Sequence, residues 1–405
     1  MDALNLFSAE QQMLQMRQMQ LQQRKAAVGP DINAAKPPAG SLIISDFFTP
    51  SDGEKFAHGE VVNMAARQNG FRGPVFTSDQ PMSSVAANQA VSSAEMVLTN
   101  PGAKREDILR AVSQRTNAQA ISLVETQTQA VRNATASGAK NSVLNLSMGG
   151  SKAGYASDLY SQAALAWDDK ANADNRAYGA TVAGNFAKAY DLNMDSLQST
   201  DPKVSGPERA KLQQNLIRHV DHTIENSSGL KAAKQSYTTE VRRFESGNNS
   251  VVISAGNHAD DSNDMLKDAA GTPVMAPKDY EKNLLEIPEV TSVGATRFMD
   301  DKGGLQERTA QYSSRSEGVD IYASGSVDYD GDQKADNWGT SFSAPRVAGT
   351  MAELHRQNPS MTSSQIENLM RNRLTHTLNS GSGEIQVLDY QKSSDFLVGR
   401  KGLSQ

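Results

Sequence analysis

Residues 339–349 read GTSFSAPRVAG, and this stretch decides the fold. Pro345 is tolerated early in a helix, and the apolar positions from Val347 onward supply a buried helical face, so the pattern predicts a helix that begins near Ser341. A serine at that place lies beside the positive end of the helix dipole, which favours developing negative charge. An isolated Gly-Thr-Ser would more often be an ordinary N-cap, but the whole stretch indicates a nucleophile.

A serine hydroxyl is a weak nucleophile, so a base must take its proton and a third group must orient that base. His58 precedes apolar residues at helical spacing between 61 and 66, which predicts an imidazole at a helix start. Asp46 follows the apolar run at 42–44, which places a carboxylate at the end of a buried strand. Open α/β sheets put their sites at such strand ends. The order along the chain is therefore Asp, His, Ser.

Short apolar runs at 42–44, 142–146 and 251–253 are each followed by helical patterns. Such alternation predicts an α/β fold with a mostly parallel central sheet flanked by helices. Residues 290–323 predict two further short strands joined by a loop, and a second C-terminal helix is expected to begin near Thr362.

Together these blocks resemble the subtilase family, the subtilisin-like serine endopeptidases of peptidase class S8. The nucleophile motif at 339–349 matches over its whole length, and 251–257, VVISAGN, is similar to the family's strand that ends in Ala-Gly-Asn. The resemblance implies a three-layer subtilisin-like fold and peptide-bond hydrolysis through an acyl-enzyme intermediate. Asp46 and His58 are closer along the chain than is usual in the family, and Glu60 and Val61 stand where a second histidine is common.

The resemblance also implies a role for each candidate site residue. Asp46, His58 and Ser341 would form the triad, and Asn257 would donate to the oxyanion. The substrate would pair with the strand at 144–150 by β-augmentation and lie between two walls. The substrate-binding residues expected in these walls are Ser147, Met148 and Gly149 on one side, and Ser254, Ala255 and Gly256 on the other.

Composition narrows the partners and the compartment. The formal net charge of −6 gives no attraction to nucleic acid or anionic lipid, so we expect a polypeptide substrate and no nucleic acid. No apolar run is long enough to predict membrane insertion, and the first residues do not resemble a Sec signal peptide. The expected location is the cytoplasm, or outside the cell by a route without that signal. The chain has no cysteine, which fits either compartment.

The sequence divides into three parts. Residues 1–40 predict an N-terminal amphipathic helix and a proline-rich linker, which would be a pro-segment, an export address or an oligomerisation helix. Residues 41–390 would form the peptidase domain, with a helical insertion at about 151–227. Residues 391–405 show little pattern and are expected to be a tail.

An acidic cluster near the nucleophile is the main candidate for a metal site, although catalysis of this type requires no cofactor. Its weak ligand candidates are Asp328, Asp330, Asp332 and Asp336. Their spacing is similar to that in calcium loops but lacks the glycine and the bidentate glutamate of an EF-hand, so calcium and a solvated acidic turn both remain open. His219 and His222 have metal-like spacing but are expected on a helix surface.

Two alternatives to a broad peptidase remain at this stage. The short Asp46-to-His58 connection would suit a catalytically silent, peptide-binding pseudoprotease. The insertion would suit a delivered effector protease that acts on one host or partner protein. The sequence favours the prediction of an endopeptidase with a restricted substrate range.

Overall fold

We describe the protein from a computed structural model, which defines residues 28–50, 54–81, 84–260, 277–301, 304–329, 334–380 and 383–397. The predicted N-terminal helix over residues 9–27 lies outside the described residues.

The strands occupy short segments from one end of the chain to the other. They are β1 (Leu42–Asp46), β2 (Val75–Asp79), β3 (Val143–Leu146), β4 (Ser250–Ser254), β5 (Thr291–Asp301), β6 (Gly304–Thr309), β7 (Ile321–Ser324), β8 (Ser326–Val327), β9 (Asn337–Trp338), β10 (Thr375–Asn379) and β11 (Glu384–Leu388).

Helices fill most of the connections between the strands. They are α1 (His58–Gln68), α2 (Val85–Leu98), α3 (Arg105–Ala136), α4 (Lys152–Ala164), α5 (Ala173–Tyr190), α6 (Met194–Gln198), α7 (Pro202–Asn226), α8 (Ser228–Glu245), α9 (Pro277–Glu281), α10 (Thr340–Gln357), α11 (Ser363–Arg373) and α12 (Tyr390–Leu397).

The central sheet is mostly parallel. Strands β2, β1, β3, β4, β5, β7 and β11 are hydrogen-bonded in that order and all run parallel, while β6 and β10 are antiparallel to β5 and β11. Because β2 lies on one side of β1 and β3 on the other, the strand order reverses at β1. Parallel sheets place their sites at the carboxyl ends of the strands beside such a reversal. The fold class predicted from the sequence is confirmed.

Each face of the sheet is covered by its own hydrophobic core. Successive side chains of a strand point to opposite faces, so Ile43 packs in one core and Ile44 in the other. The core that holds Ile43 includes buried residues of α2 to α5, α7 and α8. The opposite core includes buried residues of α1, α10 and α11. The structure therefore has three layers, and the helix that carries Ser341 packs on the second face.

The predicted proline-rich linker is packed against the domain in its described part, residues 28–40. Asp31 forms a parallel bridge with Thr77 of the edge strand β2, and the Ile32 N–H donates to the Thr77 carbonyl at 2.8 Å. Ile32 is buried in the core of α2 and α3. This contact covers part of an edge strand, which would otherwise present unpaired backbone groups.

Helices α4 to α7 occupy the region predicted as a helical insertion. Their buried residues, such as Leu159, Phe186 and Leu216, belong to the same core as residues of α3 and β3. The inserted helices are therefore built into the domain core, and removing them would uncover α3.

The chain after β4 differs from the sequence expectation in two places. Residues 290–323 contain three strands, because β5 continues into a hairpin with β6. A second hairpin, β10–β11, extends the sheet, and α12 occupies part of the predicted tail, with Ser393 buried against the domain. Among the described residues no helix is both long and apolar enough to cross a membrane. The compartment stays a prediction.

A glutamate near the C-terminal end of α8 predicts how stability depends on pH. Burial, followed by the charges of Glu367 and Glu289, raises the pKa of Glu245 from 4.5 to about 7. The folded state thus keeps a proton that the unfolded state releases above pH 4.5, so stability falls as pH rises from there to about 7 and stays lower above it. We expect Glu245→Gln to raise the melting temperature at pH 8 and to leave it unchanged near pH 4.

The control for this experiment is Glu125→Gln, which changes an exposed glutamate on α3. Calorimetry over pH 4 to 8 measures both variants. A Glu245→Gln shift that is the same at pH 4 and pH 8 would contradict the linkage.

Candidate active site

Four segments of the chain meet at the carboxyl edge of the sheet. Asp46 is the last residue of β1, Ser147 follows β3, Ser254 ends β4, and Ser341 lies in the first turn of α10. A cleft of about 290 Å³ runs between them and is lined by His58, Ser341 and the residues after β3 and β4. The predicted site residues are thus brought together at the point where the strand order reverses.

Asp46 and His58 form a close pair. The carboxylate of Asp46 has no exposed surface, and both of its oxygens lie 2.9 Å from Nδ1 of His58. The Phe47 N–H also donates to Oδ1 at 2.8 Å. A nitrogen that faces a carboxylate carries the proton, so this contact assigns Nδ1–H and leaves Nε2 as an acceptor. The short spacing of 12 residues between the two is therefore compatible with a direct hydrogen bond.

The residues after His58 explain how the imidazole is placed. The Glu60 carboxylate accepts the Ala57 N–H at 2.7 Å, which satisfies a donor at the start of α1. A Cβ at Gly59 would lie 2.6 Å from the ring of Phe48, so only glycine allows this approach. The predicted apolar face of α1 is buried, as Val62 and Ala65 show. Glu60 thus stabilises the start of the helix that carries His58.

The surroundings of His58 favour its protonated form. Burial lowers the pKa of His58, but the charge of Asp46 and the hydrogen bond to it outweigh burial and raise that pKa above 6.5. The ring of Phe47 stacks on the imidazole at 5.3 Å, and 23% of the His58 side chain remains exposed. The imidazole is therefore held in place by Phe47 and Asp46, and part of it remains exposed to the cleft.

Ser341 is hydrogen-bonded to the segment that is expected to bind substrate. Its hydroxyl donates to the Ser147 carbonyl at 3.0 Å, and the Ser147 hydroxyl donates to the Ser341 carbonyl at 3.0 Å. No hydrogen bond joins Ser341 to His58, both of which are described residues. The backbone N–H of Ser341 lies in the first helical turn, where α10 itself offers no acceptor. The Ser341 hydroxyl must therefore rotate to reach His58.

Asn257 is held with its amide group turned in a defined direction. The Thr340 backbone N–H lies 2.8 Å from the side-chain oxygen of Asn257, and the Thr340 hydroxyl donates to the same atom at 2.8 Å. A backbone N–H can only donate, so the bonded atom must be Oδ1, which leaves Nδ2 for the cleft. Gly256, with φ of +111°, makes the turn out of β4 that presents Asn257.

Five of the six residues expected in the substrate walls line the cleft. Ser147, Met148 and Gly149 line one side of the cleft, and Ser254 and Gly256 line the other. Ala255 does not line it, because its side chain is fully buried and its N–H donates to the Val293 carbonyl. Side chains alternate along the chain at the end of β4, which explains why Ala255 faces inward. The substrate-binding role expected for Ala255 stays a prediction.

Several residues of the cleft were not predicted from the sequence. Leu123 of α3, Phe47 and His258 line it. Asn283 lies beneath both walls, where Nδ2 donates to the Ser254 carbonyl at 2.6 Å and the amide packs against Gly149. The position of His258 directly after the Ala-Gly-Asn motif could have indicated it, whereas Leu123 and Asn283 depend on tertiary packing.

None of the described metal-site candidates lines the cleft. Asp330 and Asp332 lie outside the described residues, and the Asp336 carboxylate accepts the Tyr329 N–H at 2.7 Å. Within the described ranges no cluster of three or more metal-ligating side chains is present, so calcium stays an untested prediction. His219 is half-buried and bonded to Ser113 at 2.7 Å, contrary to the surface position expected for it.

The chain is similar to a known protein family and to several solved structures. The model of the subtilase family, peptidase S8, matches residues 75–391. Similar solved structures include a lanthipeptide protease (13% identity, 88% of each chain covered, TM-score 0.39). Another is a cold-adapted subtilisin-like serine proteinase (15% identity, 86% of this chain and 88% of that chain, TM-score 0.35). No curated protein matches this chain.

The parallel sheet, the cleft at its carboxyl edge and the matched family define a serine endopeptidase, which is a hydrolase of polypeptides. The chain belongs to the subtilase family. The matched residues begin after Asp46 and His58, so the roles expected for these two rest on their position and geometry alone.

The pKa of His58 predicts the pH profile of activity. A general base must be neutral, so kcat/KM should fall as pH falls through the His58 pKa, which lies above 6.5. Asp46→Asn removes the charge that raises this pKa, so we expect the fall to move to lower pH. The maximal rate should drop by about 10⁴-fold, because the amide no longer holds the correct tautomer.

Peptide hydrolysis measured from pH 5 to 9 tests both effects. Asp79→Asn, at the equivalent end of the neighbouring strand β2, is the matched control. An Asp46→Asn profile with an unchanged midpoint would contradict the assigned role of Asp46.

Proposed function

We propose that Asp46, His58, Ser341 and Asn257 carry out peptide-bond hydrolysis through an acyl-enzyme intermediate. The observation that supports this most directly is the Asp46–His58 pair, with Nε2 of His58 left as an acceptor in the cleft that also contains Ser341. The family alone would not identify these side chains. Their geometry supplies a base that is oriented by a buried carboxylate.

The reaction follows from the donors and acceptors present. The Ser341 hydroxyl turns from Ser147 toward His58 and attacks the peptide carbonyl carbon, while its proton passes to Nε2. The negative oxygen that develops accepts from Asn257 Nδ2 and the Ser341 N–H. His58 then returns the proton to the leaving amine. Water attacks the ester and gives its proton to Nε2 of His58, and His58 passes that proton to Oγ of Ser341 as the acid product leaves.

Labelling with a fluorophosphonate probe tests the proposed nucleophile. We expect the wild type to be labelled, and Ser341→Ala and His58→Ala to lose labelling, because one lacks the attacking oxygen and the other lacks the base. Ser343→Ala is a matched control in the same helix, since its hydroxyl is buried and has no hydrogen-bond partner among the described residues. That control should be labelled like the wild type.

Two outcomes of this experiment would decide between classes of protein. A folded wild type that does not react would support a peptide-binding pseudoprotease, consistent with the Ser341 hydroxyl resting on Ser147. Labelling that survives in Ser341→Ala would place the nucleophile elsewhere.

We also propose a restricted substrate range, with an effector that cuts one partner protein as its extreme form. Helices narrow the cleft at one wall: a Cβ at Gly150 would lie 2.5 Å from the Tyr155 hydroxyl and 3.0 Å from Leu123. Ser151, which lines the cleft, is also the N-cap of α4. The inserted helices thus begin directly at the substrate wall.

Shortening a side chain at this wall should broaden the range. We expect Leu123→Ala to raise kcat/KM by about 10-fold or more for peptides with large side chains at the cleaved position, since a pocket discriminates by roughly this factor per methylene. Profiling with a peptide library measures the change. Ile121→Ala is the control, because Ile121 is on the same helix but lies against Gly229. An unchanged Leu123→Ala profile would contradict the role of this wall.

A further inference from the structure

A buried amide occupies the middle of the sheet directly below the cleft. Asn145 of β3 has no exposed surface, and its neighbours on both adjacent strands, Ile44 and Val252, are apolar. Its Nδ2 donates to the Ser147 hydroxyl at 2.7 Å. Its side-chain oxygen has no hydrogen-bond partner within the described part of the chain.

By itself, such a group destabilises the folded state. A buried amide oxygen without a partner carries a desolvation cost, and an apolar side chain at this position would avoid it. Exceptions to the pairing of buried polar groups require a reason, and functional sites are where proteins tolerate them. The reason must involve Ser147, because this residue makes the only side-chain hydrogen bond of Asn145 among the described residues.

The hydrogen bond from Asn145 fixes the direction in which the Ser147 hydroxyl points. A hydroxyl has one proton, and Ser147 uses it to donate to the Ser341 carbonyl at 3.0 Å. The bond to Asn145 must then be one that the hydroxyl accepts, which agrees with the amide Nδ2 as its partner. Asn145, Ser147 and the Ser341 backbone therefore form a directed chain of hydrogen bonds.

We expect this chain of bonds to remain in place when the cleft fills. The Ser147 carbonyl, which accepts from the Ser341 hydroxyl, is a main-chain acceptor in the segment that is expected to pair with substrate. A peptide N–H that takes this carbonyl releases the Ser341 hydroxyl. The bond from the Ser147 hydroxyl still holds the Ser341 backbone at a fixed distance from the same strand.

We propose that Asn145 and Ser147 are positioning residues, which set the nucleophile against the substrate strand through the directed bonds Asn145 to Ser147 to Ser341. This inference rests on the proposed function of Ser341. A displacement of about 1 Å at a reacting atom is enough to slow an enzymatic step strongly, so loss of the bonds reduces kcat. Substrate affinity depends on main-chain pairing and changes little.

Two variants test the direction of the bonds. Ser147→Ala removes the hydroxyl, and we expect kcat to fall about 10-fold while KM changes less than about 3-fold. Asn145→Asp keeps the shape, but a carboxylate can only accept, so the Ser147 hydroxyl turns toward it and leaves the Ser341 carbonyl. We expect the same loss in Asn145→Asp above the pKa of the new carboxyl. The ratio of variant to wild-type kcat should rise as pH falls, because the protonated acid can donate again.

The double variant and a control separate positioning from general damage. Once Ser147 is alanine, Asn145→Asp should have little additional effect on kcat, because both changes break the same chain of bonds. Ser142→Ala removes a hydroxyl bond to the Lys140 carbonyl just before β3, at the end of the strand away from the cleft, and should leave kcat unchanged. Thermal unfolding verifies that each variant is folded. Ser147→Ala deletes a single atom and remains decisive if Asn145→Asp does not fold.

The results distinguish this inference from the proposed function. Wild-type and Ser142→Ala protein that react with the fluorophosphonate probe, together with a slow Ser147→Ala and a pH-dependent Asn145→Asp ratio, support positioning. A Ser147→Ala kcat within about 2-fold of the wild type, or fully additive losses in the double variant, would overturn it while leaving the triad intact. A wild type without labelling would instead refute the proposed nucleophile.

Discussion

The first turn of α10 is hydrogen-bonded to the ends of two neighbouring strands, and the arrangement of the cleft depends on this attachment. Thr340 is bonded to Asn257 and to the Gly256 N–H beyond β4, while Ser341 exchanges two bonds with Ser147 beyond β3. The strands are fixed relative to each other by the parallel ladder between them. The serine, the amide and the substrate wall therefore share one rigid frame.

Strand β1, which pairs with β3, ends in the charged residue Asp46, and this residue is buried in the interior. The buried Asp46 carboxylate is stabilised by the Phe47 N–H and by His58, and this pairing ties β1 to the start of α1. Burying a carboxylate without such partners would be costly. The same hydrogen bond that makes the buried charge tolerable also orients the base, so folding and the proposed catalysis place the same demand on this pair.

The sequence predicted the parts of the fold that depend on local pattern. Asp46 at a strand end, the helix that begins at His58, and the turn that presents Asn257 follow from apolar runs, glycines and motif order. The sequence did not show that the Ala255 side chain faces the core, because a linear motif does not reveal which side chains of a strand face inward. Leu123 and Asn283 reach the cleft only through packing between distant segments. The β5–β6 and β10–β11 hairpins were missed because β6, β10 and β11 are partly exposed and contain no continuous apolar run.

The core shared by α3 and the inserted helices also bears on self-digestion. A peptidase cuts its own copies most readily at segments that open locally without unfolding the whole molecule. An insertion that merely rested on the surface would open in this way, but Phe186 and Leu216 are buried in the core that holds the central strands. The inserted helices are therefore held against the local opening that cleavage by a neighbouring molecule requires.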